Sequence, residues 1–95
     1  MKAEQLIKEI YPIGENAFAR ILLWGLDTPL AGSKHLFKYS FAYVEDGVCV
    51  VRFDNEAGKG DHHHFGDKET AYEFTSVEQL LVDFWTQVDH WEKSQ

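Results

Sequence analysis

The feature that most constrains this chain is the run from Phe37 to Val44, followed at once by Glu45-Asp46-Gly47 and the apolar return Val48 to Phe53. Phe37, Tyr39, Phe41 and Tyr43 alternate with Lys38, Ser40, Ala42 and Val44, which is the period-two pattern of a strand with one buried face. Asp-Gly readily takes the positive φ values of a tight hairpin turn, so the two runs are predicted to pair antiparallel. Any fold for this chain must accommodate that hairpin and bury its aromatic face.

The flanking segments extend the same theme. Ala17 to Leu26 sets Phe18, Arg20, Leu22 and Trp24 against Ala17, Ala19, Ile21 and Leu23, again a strand. Gln5 to Ile13 fits either a helical turn through Leu6, Ile7 and Ile10 or an edge strand, and the strand is the preferred reading; Pro12 and Gly14 end it. Residues 27–33, with Pro29 and Gly32, form a loop. A short strand is expected from Thr70 to Phe74. From Val77 onward the period changes: Val77, Leu80, Leu81, Phe84, Trp85, Val88 and Trp91 recur at three- and four-residue spacing, with Thr75 or Ser76 as cap and Glu78 or Gln79 completing a capping box. That aromatic stripe reads as core packing. The expectation is an α+β fold, an antiparallel sheet of four or five strands with one C-terminal amphipathic helix packed on it, in one domain spanning residues 1–95.

Composition narrows the function classes. A chain of 95 residues with 44% hydrophobic content supports a single core. No apolar run approaches the roughly 20 residues needed to span a bilayer, and the first ten residues lack the apolar core of a signal peptide, so a cytoplasmic protein without membrane association is expected. Cys49, the one cysteine, lies in Val48-Cys49-Val50-Val51 and reads as a buried thiol. The net charge of −7 argues against broad nucleic-acid binding, yet it is unevenly spread. Between Asn16 and Lys68, Arg20, Lys34, Lys38, Arg52, Lys59 and Lys68 nearly balance the acids, whereas Lys93 alone opposes the six acids from Glu69 onward. A basic face on the central region is compatible with that distribution.

The candidate site is the stretch Arg52 to Gly66, which leaves a strand, crosses two glycines and reads as a loop carrying His62, His63 and His64 behind Asp61. On extended chain His62 and His64 share a side while His63 points away. Histidine exchanges protons near neutrality, and Arg52 and Lys59, close in sequence, are placed to stabilise an anionic transition state. A zinc site would need Asp54, Asp61, His35 or His90 as further ligands, and none stands at a diagnostic spacing. The pattern equally admits a structural role, in which the three histidines bond the loop and cap strand ends with Asp61 as a turn residue.

A resemblance adds to this. Arg52-Phe53-Asp54-Asn55, Gly58-Lys59-Gly60-Asp61-His62-His63-His64, Tyr72-Glu73-Phe74 and Leu80-Leu81-Val82-Asp83-Phe84-Trp85 together resemble the TumE family of bacterial and archaeal toxin-antitoxin toxins. Gly32-Ser33-Lys34-His35-Leu36-Phe37-Lys38-Tyr39 is similar to the family's Gly-Ser-basic-His-Phe-Lys-Tyr segment, so the likeness runs from Trp24 onward. One departure is His63, where the family more usually carries arginine.

The resemblance implies a toxin with a cognate antitoxin of the helix-turn-helix kind. On this basis the expected reaction is RNA cleavage by attack of a 2′-hydroxyl on the adjacent phosphate, without metal or other cofactor. His62 and His64 would divide acid and base work, with Lys59 and Arg52 on the phosphate. Lys38, His35 and His63 would extend substrate contact, and Asp54 or Asp61 would orient a histidine. The alternative is a non-catalytic protein- or RNA-binding module that inhibits by occupying its target. A homodimer is compatible with either.

Overall fold

The computed structural model describes residues 2–94. Six strands form one sheet: β1 (Ala3–Ile13), β2 (Ala17–Leu26), β3 (Phe37–Glu45), β4 (Val48–Glu56), β5 (Gly60–Phe65) and β6 (Lys68–Ala71), followed by helix α1 (Val77–Lys93). The strands lie in chain order and each pairs antiparallel with the next. The expected α+β architecture with one C-terminal helix is present, but the strands number six rather than four or five. The difference lies in the histidine segment. It is the interior of β5, not a loop, because Asp61 to Phe65 pairs with β4 on one side and its histidines with β6 on the other. The short strand expected at Thr70 to Phe74 runs instead from Lys68 to Ala71, and its charged Lys68 and Glu69 occupy the open edge of the sheet, where charge discourages further strand pairing.

The central hairpin forms as its turn residues dictate. Glu45 pairs with Val48, and Asp46 and Gly47 take φ of 52° and 77°, the positive values of a two-residue hairpin loop. The register then slips between Tyr43 and Val44, so that Tyr43 opposes Val51 while Val44 opposes Cys49, leaving Val50 as an extra residue. The slip decides the place of Cys49. Val50 joins the core and Cys49 is exposed, which corrects the expectation of a buried thiol. Partial burial raises the thiol pKa, with Arg52 and Arg20 pulling the other way.

One face of the sheet is covered by α1. Ser76 caps the helix, its Oγ accepting the backbone N–H of Gln79 at 3.0 Å; the Gln79 side chain turns forward to donate to Asp83 instead of returning to the cap. Leu80, Phe84 and Val88 are buried against Ala19, Ile21, Leu23, Tyr39, Phe41, Tyr43, Val51 and Phe53. Phe84 meets Phe41 and Phe53 edge-on, at centroid distances of 5.7 and 6.2 Å. Trp85 lies at the margin of this core, stacking edge-on with Tyr11 of β1. Among the described residues no helix covers the second face, which carries the alternate residues of every strand. No helix among the described residues is long and apolar enough to cross a membrane.

Candidate functional site

Strand alternation divides the expected site residues between the two faces. On the open face, Arg52 opposes His64 and Asp54 opposes His62 across the β4–β5 ladder. The rings of His62 and His64 lie side by side with centroids 6.5 Å apart. The Nε2 of His64 is 2.9 Å from Glu69 Oε2, 3.2 Å from Arg52 Nη2 and 3.9 Å from Asp54 Oδ1. A carboxylate and a guanidinium therefore compete for one nitrogen. With a proton, Nε2 donates to Glu69; without it, the lone pair can accept from Arg52. Arg52 Nε also lies 3.4 Å from Asp54 Oδ2, an ion pair without hydrogen-bond geometry. Nε2 of His62 is buried and has no hydrogen-bond partner among the described residues.

His63 is on the other face. Its ring stacks on Phe53 at 4.4 Å, and desolvation, helped by neighbouring His64, lowers its pKa. It is placed to pack beneath α1 rather than beside His62 and His64.

A second polar cluster gathers at the end of the sheet. Asp61, on the helix side of β5, accepts hydrogen bonds from Ser33 Oγ and Tyr39 OH and is in contact with His35 Nε2, each at 2.7 Å. The phenol of Tyr39 is strongly raised in pKa by burial and by the Asp61 charge it donates to. Beside it the buried Asn55 accepts from the N–H of Tyr39 at 2.9 Å and donates to the carbonyl of Phe37 at 2.8 Å. His35 is further sandwiched on Phe74, at a centroid distance of 3.8 Å. These bonds hold residues 31–37 across the sheet end. There Gly32 and Gly60 meet backbone to backbone, and a Cβ on either would come within 3 Å of the other. A cavity of about 620 Å³ opens beside them, lined among others by Lys34, His35, Lys59, Asp61, Tyr72 and Phe74.

The structure thus brings Arg52, Asp54, His62 and His64 together and adds Glu69, which sequence reasoning missed because its approach depends on the β5–β6 register. Lys59 is not with them. It projects from the β4–β5 turn at the cavity rim, 4.0 Å from Glu56. His35 and Asp61 face the same cavity, and Lys38 stands on the open face two strands away from the histidines, its Nζ 5.0 Å over the Trp24 ring. Among the described residues no group of three or more His, Cys, Asp or Glu has metal-binding geometry.

The model of the toxin TumE family matches residues 5–92. The chain belongs to the TumE toxin family. No curated protein and no solved structure gives a match. Membership in a family of toxins makes a cognate antitoxin the partner of this TumE chain, and the segments that resemble the family fall on both polar clusters. Gly32 to Tyr39 and Asp61 build the cavity side, while Arg52, Asp54, His62 and His64 build the open-face site.

Proposed function

We propose that this TumE toxin is a metal-independent endoribonuclease whose chemistry belongs to the open-face pair His62 and His64. The observation that supports it is the side-by-side placement of the two imidazoles, 6.5 Å apart, with the Arg52 guanidinium next to one of them. Cleavage through a 2′-hydroxyl needs a base on one side of the phosphorus, an acid on the other and a cation for the phosphorane. His64 is assigned as the base, since its Nε2 lies 2.9 Å from Glu69 Oε2 and 3.9 Å from Asp54 Oδ1, carboxylates that pair with the imidazolium formed when it takes the proton. The 2′-oxygen attacks phosphorus, the bond to the 5′-oxygen breaks, and protonated His62 supplies the leaving oxygen with its proton. The products are a 2′,3′-cyclic phosphate and a 5′-hydroxyl. Arg52, freed from His64 when phosphate enters, holds the non-bridging oxygens.

The presence of Asp54 and Glu69 within the site favours one rival, a non-catalytic module that occupies its target through a neutral patch. The double variant His62→Ala/His64→Ala separates the two. Loss of growth inhibition and RNA cleavage, with an unchanged melting temperature and retained antitoxin binding, is expected. Undiminished inhibition would remove the catalytic reading.

A further inference from the structure

The two histidines stand at one end of a longer array. Strand register aligns two rows across the open face: Ile10, Arg20, Ala42, Arg52, His64 and Glu69 in one, Lys8, Leu22, Ser40, Asp54, His62 and Ala71 in the other. Flanking them are Trp24 paired with Lys38 and, at the other end, Phe18 paired with Val44. Lys8, Arg20, Lys38 and Arg52 therefore share one face of a chain whose net charge is −7. The carboxylates within that face are engaged, Asp54 with Arg52 and Glu69 with His64, and Glu56 at its end faces Lys59. Glu9 opposes Ile21 and Glu45 opposes Ala17 on the helix side, and Glu78, Asp83, Asp89 and Glu92 lie on α1.

Rings accompany the charges. Phe18 is exposed and Trp24 half-buried, and the ammonium over Trp24 leaves that ring at the surface with a cation beside it. Cations interleaved with aromatic rings on an uncovered sheet face suit a nucleic acid whose bases are free to stack, and a duplex keeps its bases out of reach. Adjacent strands are about 4.8 Å apart, so Arg20 and Arg52, two strands apart, are separated by about 10 Å and His64 lies one strand further on.

We propose that the open face from β1 to β5 is a track for single-stranded RNA. Trp24 and Phe18 stack bases, Arg20, Lys38 and Lys8 hold phosphates, and the strand is led to Arg52, His62 and His64. This rests on the reading that the toxin cleaves RNA at those histidines, and it names residues that reading does not use.

The test uses the full chain and a fluorescein-labelled 2′-O-methyl oligonucleotide, which lacks the attacking hydroxyl, followed by fluorescence anisotropy over a salt series. Arg20→Glu and Lys38→Glu should each weaken binding about tenfold and flatten the logarithmic salt dependence by about 0.7 for every phosphate no longer neutralised. Trp24→Ala should cost about 5- to 150-fold, the range for one stacked base. Lys93→Glu, on the helix, should change affinity little, and the same oligonucleotide as a duplex should bind more weakly.

Unmodified RNA is assayed for cleavage in parallel. If Arg20→Glu and Lys38→Glu bind like the wild type while His62→Ala/His64→Ala abolishes cleavage, the track is wrong and the catalytic reading stands. If the wild-type chain neither binds nor cleaves RNA, both fall. Equal affinity for duplex overturns the single-strand assignment. A dimer by analytical ultracentrifugation that Arg20→Glu or Phe18→Ala dissociates assigns the face to a second copy and likewise overturns the track.

Discussion

His35 Nε2 lies 2.7 Å from Asp61 Oδ2, while Nδ1 of the same ring accepts the backbone N–H of Phe37 at 3.2 Å. Both ring nitrogens are committed, and the pattern fixes the tautomer: Nδ1 carries the lone pair and Nε2 carries the proton that goes to the carboxylate. This makes His35 a fastening between the 31–37 segment and β5. Asp61 collects the Ser33 and Tyr39 hydroxyls as well, so its replacement by Ala should unfasten three donors at once. Hydrogen bonds to a charged group are worth about 1.5–3 kcal/mol each and do not add, so a loss of about 3–4 kcal/mol is expected in urea unfolding. A loss below about 1 kcal/mol would show that the cluster does not fasten the segment.

Gly32 and Gly60 both take positive φ, 92° and 77°, and each would place a Cβ against the other's backbone, at 2.8 and 2.9 Å. Gly60→Ala should therefore cost more than about 1 kcal/mol through the combined strain and clash. The same change at Gly14, which has positive φ but open space around it, should cost less. Thermal melts of the two variants distinguish them, and equal losses would mean that the close backbone approach does not matter.

His63 has a pKa lowered by burial against Phe53 and by His64. A folded-state pKa below the unfolded value means the unfolded chain binds the proton first. The stability it contributes is thus fully present above about pH 6.5 and is lost as pH falls through the lowered folded value. His63→Phe should flatten the acid limb of the urea midpoint between about pH 7 and pH 5. An unchanged limb would place the acid sensitivity on other groups.

Tyr39 and Tyr72 are raised in pKa, mainly by burial and then by donation to Asp61 and Asp83. Here the folded chain holds its protons longer. The contribution is complete below the ordinary phenol value of 10.0 and declines as pH climbs beyond it, because the unfolded chain gains the tyrosinates. In an alkaline titration, tyrosinate absorbance from these two of the 4 tyrosines should appear only with the loss of far-ultraviolet ellipticity. Titration of all four before unfolding would contradict the buried, donating geometry.

Cleavage by paired imidazoles draws on no metal, so the rate with unmodified RNA should be the same in excess chelator as in untreated protein. A loss of more than about tenfold, restored by one divalent ion per chain, would instead indicate metal-assisted hydrolysis.

The hairpin about Asp46 and Gly47, the strand at Ala17 to Leu26, the Ser76 cap and the buried stripe of α1 were legible in the sequence, because each rests on interactions between residues a few positions apart. So was the shared face of His62 and His64, which follows from alternation once the chain is extended. That the chain is extended there was not legible. Asp61 to His64 carries no apolar alternation, and β5 exists because two neighbouring strands satisfy its backbone groups. Cross-strand register likewise decided that Glu69 reaches His64, that Asp61 meets Ser33, His35 and Tyr39, and that Lys59 stays apart from Arg52. The single slip at Val50 exposed Cys49. Periodicity assigns each residue a face within its own strand, whereas pairing between strands assigns it neighbours, and the alignment of Lys8, Arg20, Lys38 and Arg52 on one face with two histidines was decided by that pairing.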